Sequence, residues 1–285
     1  MVLGHEFAGE IVEVGRDVHN WSAGQLVVAN PNGRHCGACA QCRAARYNLC
    51  RRATVVYPLG VAVDGGMADY VALHPSYLHR LPAGLSTRHG AWVEPLAVAV
   101  RAVKGSTISE GDRVAVLGGG PVGQLVVQVL QSRGAVCSLL VEPVGVRRDT
   151  ALVLGASRAL APEEVRRRLG DGEVEPVDHV LECSGHPDAP QLALDLVEPG
   201  GSVRLVGMSP RALSFEPVAA ITKEVQISTA FIYVDEFAAA ADLLRAGAVD
   251  VDVLTSAVLP LESYADAFSA LRGAGAAMKV LLTTH

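Results

Sequence analysis

Four residues into the chain, the string Gly4-His5-Glu6-Phe7-Ala8-Gly9-Glu10 sets an imidazole beside a carboxylate. Both are donor types for a catalytic zinc, which takes three protein ligands from separated segments and leaves one position open for substrate. Alone, the pair reads equally as two polar residues at a surface. A second group is more specific: Cys36, Cys39 and Cys42 at intervals of three, then Cys50 one loop further on. Short Cys-x-x-Cys steps let a tight turn aim successive sulfurs inward. Four thiolates close a tetrahedral zinc site with no open position, so the expected role is structural. An iron–sulfur cluster and a pair of disulfides are the competing readings. His35, beside the cluster, reads as a loop residue, and Cys137 and Cys183, alone in apolar runs, as buried free thiols.

The third pattern is Gly118-Gly119-Gly120-Pro121-Val122-Gly123, a G-x-G-x-x-G turn. It follows the apolar run Arg113 to Leu117 and precedes the apolar segment Pro121 to Ser132. In that context backbone N–H groups and a helix N-terminus cradle a pyrophosphate, which makes Gly118, Gly120, Pro121, Val122 and Gly123 candidate cofactor residues. Glu142 ends the next apolar run, nineteen residues beyond Gly123. A carboxylate there accepts hydrogen bonds from the adenosine ribose and favours NAD. Arg147 and Arg148 lie close enough to pair with a 2′-phosphate and keep NADP open. Cys183-Ser184-Gly185 and Val206-Gly207-Met208 each follow a strand-like run, at the edge where open α/β sheets bind ligands.

These groups need elements to hold them. The first part, to about Leu81, alternates short β-like runs with glycine turns: 9–15, 25–29 and 68–73. An irregular β domain is expected there. Beyond Trp92 the pattern changes to strand, helix, strand, with runs at 113–117, 136–141, 177–182, 202–206 and 225–229. That alternation predicts an α/β fold, a doubly wound parallel sheet with helices on both faces. Residues 237–246 read as an amphipathic helix and 278–282 as a closing strand. The chain has 285 residues, 50% of them hydrophobic and 19% charged, enough for two domains and a large core. A net charge of −6 offers no basic surface to nucleic acid and no polybasic membrane segment. No apolar stretch is long enough to span a bilayer and no signal peptide precedes Gly4, so a cytoplasmic protein is expected.

Together these residues resemble the zinc-dependent medium-chain dehydrogenases of the alcohol dehydrogenase superfamily. The match runs in order through 4–10, the four-cysteine lobe (33–52), Val93-Glu94-Pro95-Leu96-Ala97, the glycine turn and Glu142. It continues through Leu154-Gly155-Ala156, Val206-Gly207 and Lys279-Val280. Glu94-Pro95-Leu96 is most similar to the polyol (sorbitol-type) and threonine dehydrogenase branch. The resemblance implies a GroES-like catalytic domain over 1–97, a Rossmann NAD-binding domain over 98–233, and a segment, 234–285, returning to the first. It also implies hydride transfer between NAD(P) and a secondary alcohol of the polyol, cyclitol or amino-alcohol class, in a homodimer or homotetramer. The catalytic zinc would be held by a cysteine, His5, and Glu6 or Glu94 or both in turn, acting as a Lewis acid on the alcohol. Val206, Gly207 and Phe231 would edge the nicotinamide. Family members supply the cysteine ligand from a stretch before Gly-His-Glu, so Met1 is expected to be an internal methionine or a truncated start. A remnant that binds nucleotide and structural zinc but turns nothing over is the rival reading. A zinc-free reductase is disfavoured by the intact cysteine set and the His5-Glu6 pair.

Overall fold

The central runs of the parallel sheet, 113–117 and 136–141, are apolar on both faces and must be covered twice, whereas the edge run 226–229 is exposed along its length. The computed structural model describes residues 1–53, 58–272 and 277–284. Three short strands, β1 (Ala8–Glu10), β2 (Leu26–Ala29) and β3 (Leu78–Arg80), form an antiparallel sheet in that order. The parallel sheet contains β4 (Arg113–Leu117), β5 (Val136–Val141), β6 (Ala159–Leu160), β7 (Val177–Glu182), β8 (Val197–Leu205) and β9 (Gln226–Thr229). Its order is β6-β5-β4-β7-β8-β9, which reverses direction between β4 and β7. Open α/β sheets bind ligands in the crevice at such a switch point. The final pair, β10 (Thr255–Pro260) and β11 (Lys279–Thr283), is parallel.

The two-residue period of a strand sorts the core. Val114 and Val116 of β4 enter one apolar cluster, with the helices Val93–Lys104, Pro121–Ser132 and Glu236–Arg245. Ala115 and Leu117 enter the other, against the helix Ala189–Leu196. The first cluster also takes in Val28, Leu81 and Leu281, so the β-rich part and the closing strand share a core with the nucleotide sheet. Among the described residues, no helix is long and apolar enough to cross a membrane.

Two expectations fall short: of the run 9–15 only Gly9 and Glu10 lie in a strand, and the run 68–73 gives none. Exposure still alternates there, with Val71 and Leu73 half-buried and Ala72 exposed. A strand also needs a partner, and among the described residues the backbone pairing with 2–4 involves Gly65, Gly66 and Met67 alone. Alternation predicts a face, not a neighbour. His35 is the loop residue expected, stacked on Tyr47 with ring centroids 4.2 Å apart. His179 ties strands together, its ring nitrogens 2.8 Å from Ser202 Oγ and 3.0 Å from Asp112 Oδ2.

His79 on β3 stacks on Phe237 at 4.9 Å, where the antiparallel sheet meets the helix Glu236–Arg245. Burial holds its pKa below the usual histidine range. The unfolded chain therefore takes up a proton that the folded one resists, and stability is lost as pH falls through the ordinary histidine value. In urea unfolding between pH 7 and pH 5, His79→Phe is expected to flatten that decline, by at most about 1.4 kcal/mol per pH unit for one proton. An unchanged slope would clear His79 of any part in it.

Candidate active site and metal centres

The four cysteines meet in one small lobe. Cys39 precedes the single helical turn Ala40–Arg43, Cys42 lies within it, and Cys50 follows the short turn Tyr47–Leu49. Their sulfurs all lie within 4.8 Å of one another. Cys39 Sγ is 3.6 Å and Cys36 Sγ 3.8 Å from Cys42 Sγ. A metal–sulfur bond of about 2.3 Å sets the sulfurs of a tetrahedron about 3.8 Å apart, whereas a disulfide needs about 2.05 Å. None of the six cysteines is joined in a disulfide, and the disulfide alternative falls. Burial works against ionising Cys50, but the N–H groups of Cys36, Ala53 and Arg52 outweigh it and bring the thiol down to about 6. Burial pushes the neighbouring Cys42 up to about 12, so without a cation the lobe favours the thiolate at Cys50 and the thiol at Cys42.

The second group brings His5, Glu6 and Glu94 together, their donor atoms within 4.8 Å of one another. Gly4 turns the chain into it at φ +94, where a Cβ would press on Met67. Glu94 sits in the first turn of the helix Val93–Lys104, only 5% exposed. Burial pushes its carboxyl up to about 7, against a lowering hydrogen bond from the Tyr233 hydroxyl. His5 is held low by burial and by the Lys279 charge, which favours the neutral imidazole that ligates metals. Lys279 of β11 forms an ion pair with Glu6 Oε2 and stands 4.9 Å over the Trp92 ring. Burial brings that lysine down to about 8. Trp92 is fixed in turn by its indole N–H, which donates to Thr255 Oγ1 at 3.0 Å. The other oxygen of Glu6, Oε1, lies 3.9 Å from His5 Nε2. A soft four-sulfur set and a hard nitrogen–oxygen set thus coexist, and both donor sets suit zinc.

Sequence reasoning gave no role to Lys279 or Tyr233. A lone lysine in an apolar closing strand is a signal, because buried ammonium groups need partners. Tyr233 left no local signal. It reaches Glu94 only through the packing of the helix Glu236–Arg245 on the helix Val93–Lys104.

The glycine turn joins a strand to a helix as expected, and the sheet order places it at the switch point. Gly118 adopts φ +101, and a Cβ there would strike the Ser184 backbone. A Cβ on Gly123 would overlap the Gly118 carbonyl oxygen, so only glycine lets helix and strand approach this closely. Gly120 starts the helix with no side-chain cap, and Pro121 and Val122 form its first turn, so N–H groups stay available for an anion. Glu142 ends its strand 4% exposed and accepts from Gly119 N–H at 2.7 Å and Val144 N–H at 3.0 Å. Arg148 donates to the Glu142 and Pro143 carbonyls at 2.8 Å, and Arg147 to the Ala277 carbonyl at 3.3 Å. Cys183 turns its thiol into the core, leaving Ser184 and Gly185 at the edge beside Gly207. Val206 packs against the same core cluster, while Phe231 stays partly exposed. The residues present fit a dinucleotide.

Comparison with known proteins decides the lineage. A family model for the alcohol dehydrogenase GroES-like domain matches residues 1–83, and one for zinc-binding dehydrogenases matches 121–246. A protein of Aspergillus clavatus named probable D-xylulose reductase A is 32% identical over 99% of this chain and 80% of its own length. The chain belongs to the zinc-binding alcohol dehydrogenase family. Two solved structures extend the likeness. A Sinorhizobium meliloti protein described as a zinc-binding dehydrogenase, solved with NADP, superposes with a TM-score of 0.91 at 33% identity, over 99% of this chain and 83% of that one. The 2R,3R-butanediol dehydrogenase of Bacillus subtilis gives 0.85 at 31%, over 99% and 80%. Membership makes this chain a zinc-dependent, NAD(P)-linked oxidoreductase with the GroES-like and Rossmann architecture.

Proposed function

We propose that this dehydrogenase oxidises a secondary alcohol of a polyhydroxy compound with NAD. The observation that carries the reading is the carboxylate-rich set His5, Glu6 and Glu94 in one cluster. A site with carboxylate in place of thiolate is harder and more hydrated, which suits substrates that bring several hydroxyls. The relatives named for xylulose and butanediol support the same class.

In this reading His5, Glu6 and Glu94 hold the catalytic zinc, and Cys36, Cys39, Cys42 and Cys50 hold a structural one. When bound, the catalytic zinc supplies Lewis-acid polarisation of the substrate oxygen. Lys279 fixes Glu6 from behind, and Tyr233 orients Glu94. The turn from Gly118 to Gly123 receives the pyrophosphate, and the edge formed by Val206, Gly207 and Phe231 lines the nicotinamide. Glu142 takes the ribose hydroxyls. Its buried carboxylate would repel a 2′-phosphate, and both nearby arginines are committed to backbone carbonyls, so NAD is preferred. Residues 1–97 and 234–285 form the catalytic unit around 98–233. β9, the sheet's last strand, is exposed along its length, and an open edge suits a homodimer or homotetramer. Six cysteines outside any disulfide suit the cytoplasm.

The test is a panel of polyols, cyclitols, amino-alcohols and simple primary alcohols with each nucleotide. Vicinal diols with NAD should give kcat/KM at least about 100-fold above ethanol, a difference of about 2.7 kcal/mol. Equal turnover of ethanol would sink the polyhydroxy class, and a preference for NADP would sink the role given to Glu142.

A further inference from the structure

The segment Phe231–Ile232–Tyr233 joins the nucleotide sheet to the candidate metal centre, and its backbone is strained. Ile232 has φ 42. That left-handed region favours glycine and is hostile to a β-branched residue, so such a conformation persists only where its surroundings over-determine it. They do so on both sides. Upstream, Ala230 N–H donates to the Leu205 carbonyl at 2.9 Å, in continuation of the sheet. Downstream, the fully buried Glu236 carboxylate accepts from Val234 N–H at 2.6 Å and Asp235 N–H at 3.1 Å. Arg101 and Lys104 hold that carboxylate at 3.3 and 3.6 Å, and both lie on the helix that carries Glu94.

Between these anchors one side chain reaches in from elsewhere. Asn48, in the turn immediately before Cys50, is 5% exposed and donates from Nδ2 to the Phe231 carbonyl at 2.9 Å. Its Oδ1 has no partner among the described residues, so the donor is the half of the amide that the fold uses. One residue past the strained Ile232, the Tyr233 hydroxyl meets Glu94 and lies 3.4 Å from Asn32 Nδ2. We propose that Asn48 is a positioning residue for the catalytic centre: by holding the Phe231 carbonyl it keeps Ile232 in its left-handed conformation and so sets the Tyr233 hydroxyl against Glu94. The four-cysteine lobe then reaches the reaction centre through one amide rather than through bulk packing. This rests on the reading that places Glu94 at that centre.

A purely structural tie between lobe and nucleotide sheet would lose the same amount whatever residue stands at 232. Positioning through strain predicts otherwise, because glycine takes φ 42 freely. Wild type, Asn48→Ala, Ile232→Gly and the double variant are compared by kcat and KM with NAD and a diol, by zinc content, and by amide exchange over 230–235. Asn48→Ala should lower kcat about tenfold and speed exchange over 230–235 about tenfold, with KM for NAD and zinc content kept. In the Ile232→Gly background both effects of Asn48→Ala should shrink to about threefold or less, the sign of coupling in a double-mutant cycle. Equal effects in the two backgrounds, or loss of the cysteine-held zinc in Asn48→Ala, would overturn the proposal. Tyr233→Phe removes only the hydroxyl and serves if Asn48→Ala does not fold: lowered kcat at normal exchange supports the proposal, and unchanged kcat overturns it. A fully active Glu94→Gln would overturn the site reading instead. It is distinguishable because Asn48→Ala would then speed exchange without touching kcat.

Discussion

His5→Ala is expected to remove one of two zinc equivalents and to lower kcat/KM for a diol about 10³-fold or more, a loss of about 4 kcal/mol in transition-state stabilisation. Burial and the Lys279 charge both lower the pKa of the imidazole and so favour its neutral form. It therefore offers a lone pair where a charged ring would offer none. Its neighbours cannot take its place. One oxygen of Glu6 is engaged by Lys279, and Glu94 is confined to a buried pocket under Tyr233. NADH binding should stay within about twofold of wild type, because the glycine turn and Glu142 lie on separate elements whose effects are independent. Metal analysis, steady-state kinetics and NADH titration decide it. Near-normal turnover with one zinc lost would move the chemistry away from His5.

The second large effect belongs to Cys50→Ser. Cys50 is fully buried, and the Cys36 N–H points at its sulfur from 3.4 Å. Serine offers a harder and far less acidic donor, so the lobe should release its metal. In small metal-dependent domains such a site contributes of order 10 kcal/mol to folding. This lobe also packs on its surroundings, so a smaller local loss is expected. Amide exchange over 36–50 should accelerate at least about 10³-fold, some 4 kcal/mol of local opening, since each factor of ten is about 1.4 kcal/mol. The other zinc equivalent should remain. Wild-type protein carrying iron, with charge-transfer absorption in the visible, would replace the zinc assignment by a cluster. Unchanged exchange after Cys50→Ser would show that packing alone holds the lobe.

Much of this was legible in the sequence because it was local. The glycine turn, the Cys-x-x-Cys steps and the β-like runs 113–117, 136–141 and 177–182 each announce their geometry within a few residues. The helix expected at 237–246 is observed as Glu236–Arg245. What stayed hidden depends on separation along the chain. β10 alternates half-buried and exposed residues, yet only its pairing with β11 makes it a strand. Tyr233 and Glu94 meet because two helices pack side by side, and no spacing rule connects them. The strain at Ile232 was equally invisible, since isoleucine is the residue that sequence reasoning would least expect at positive φ.

The pairing of Glu6 with Lys279 has a temporal consequence. These residues stand 273 positions apart, one near the start of the chain and one in its last strand. The carboxylate meets its counter-charge only when the chain closes a loop of that length. Bridging such a distance is also slow for a chain folding by itself. Until that loop closes, Glu6 is without the Lys279 charge and Trp92 lacks the cation that covers its ring. The centre is thereby completed late in folding, after the strands and the lobe that are built from nearer neighbours.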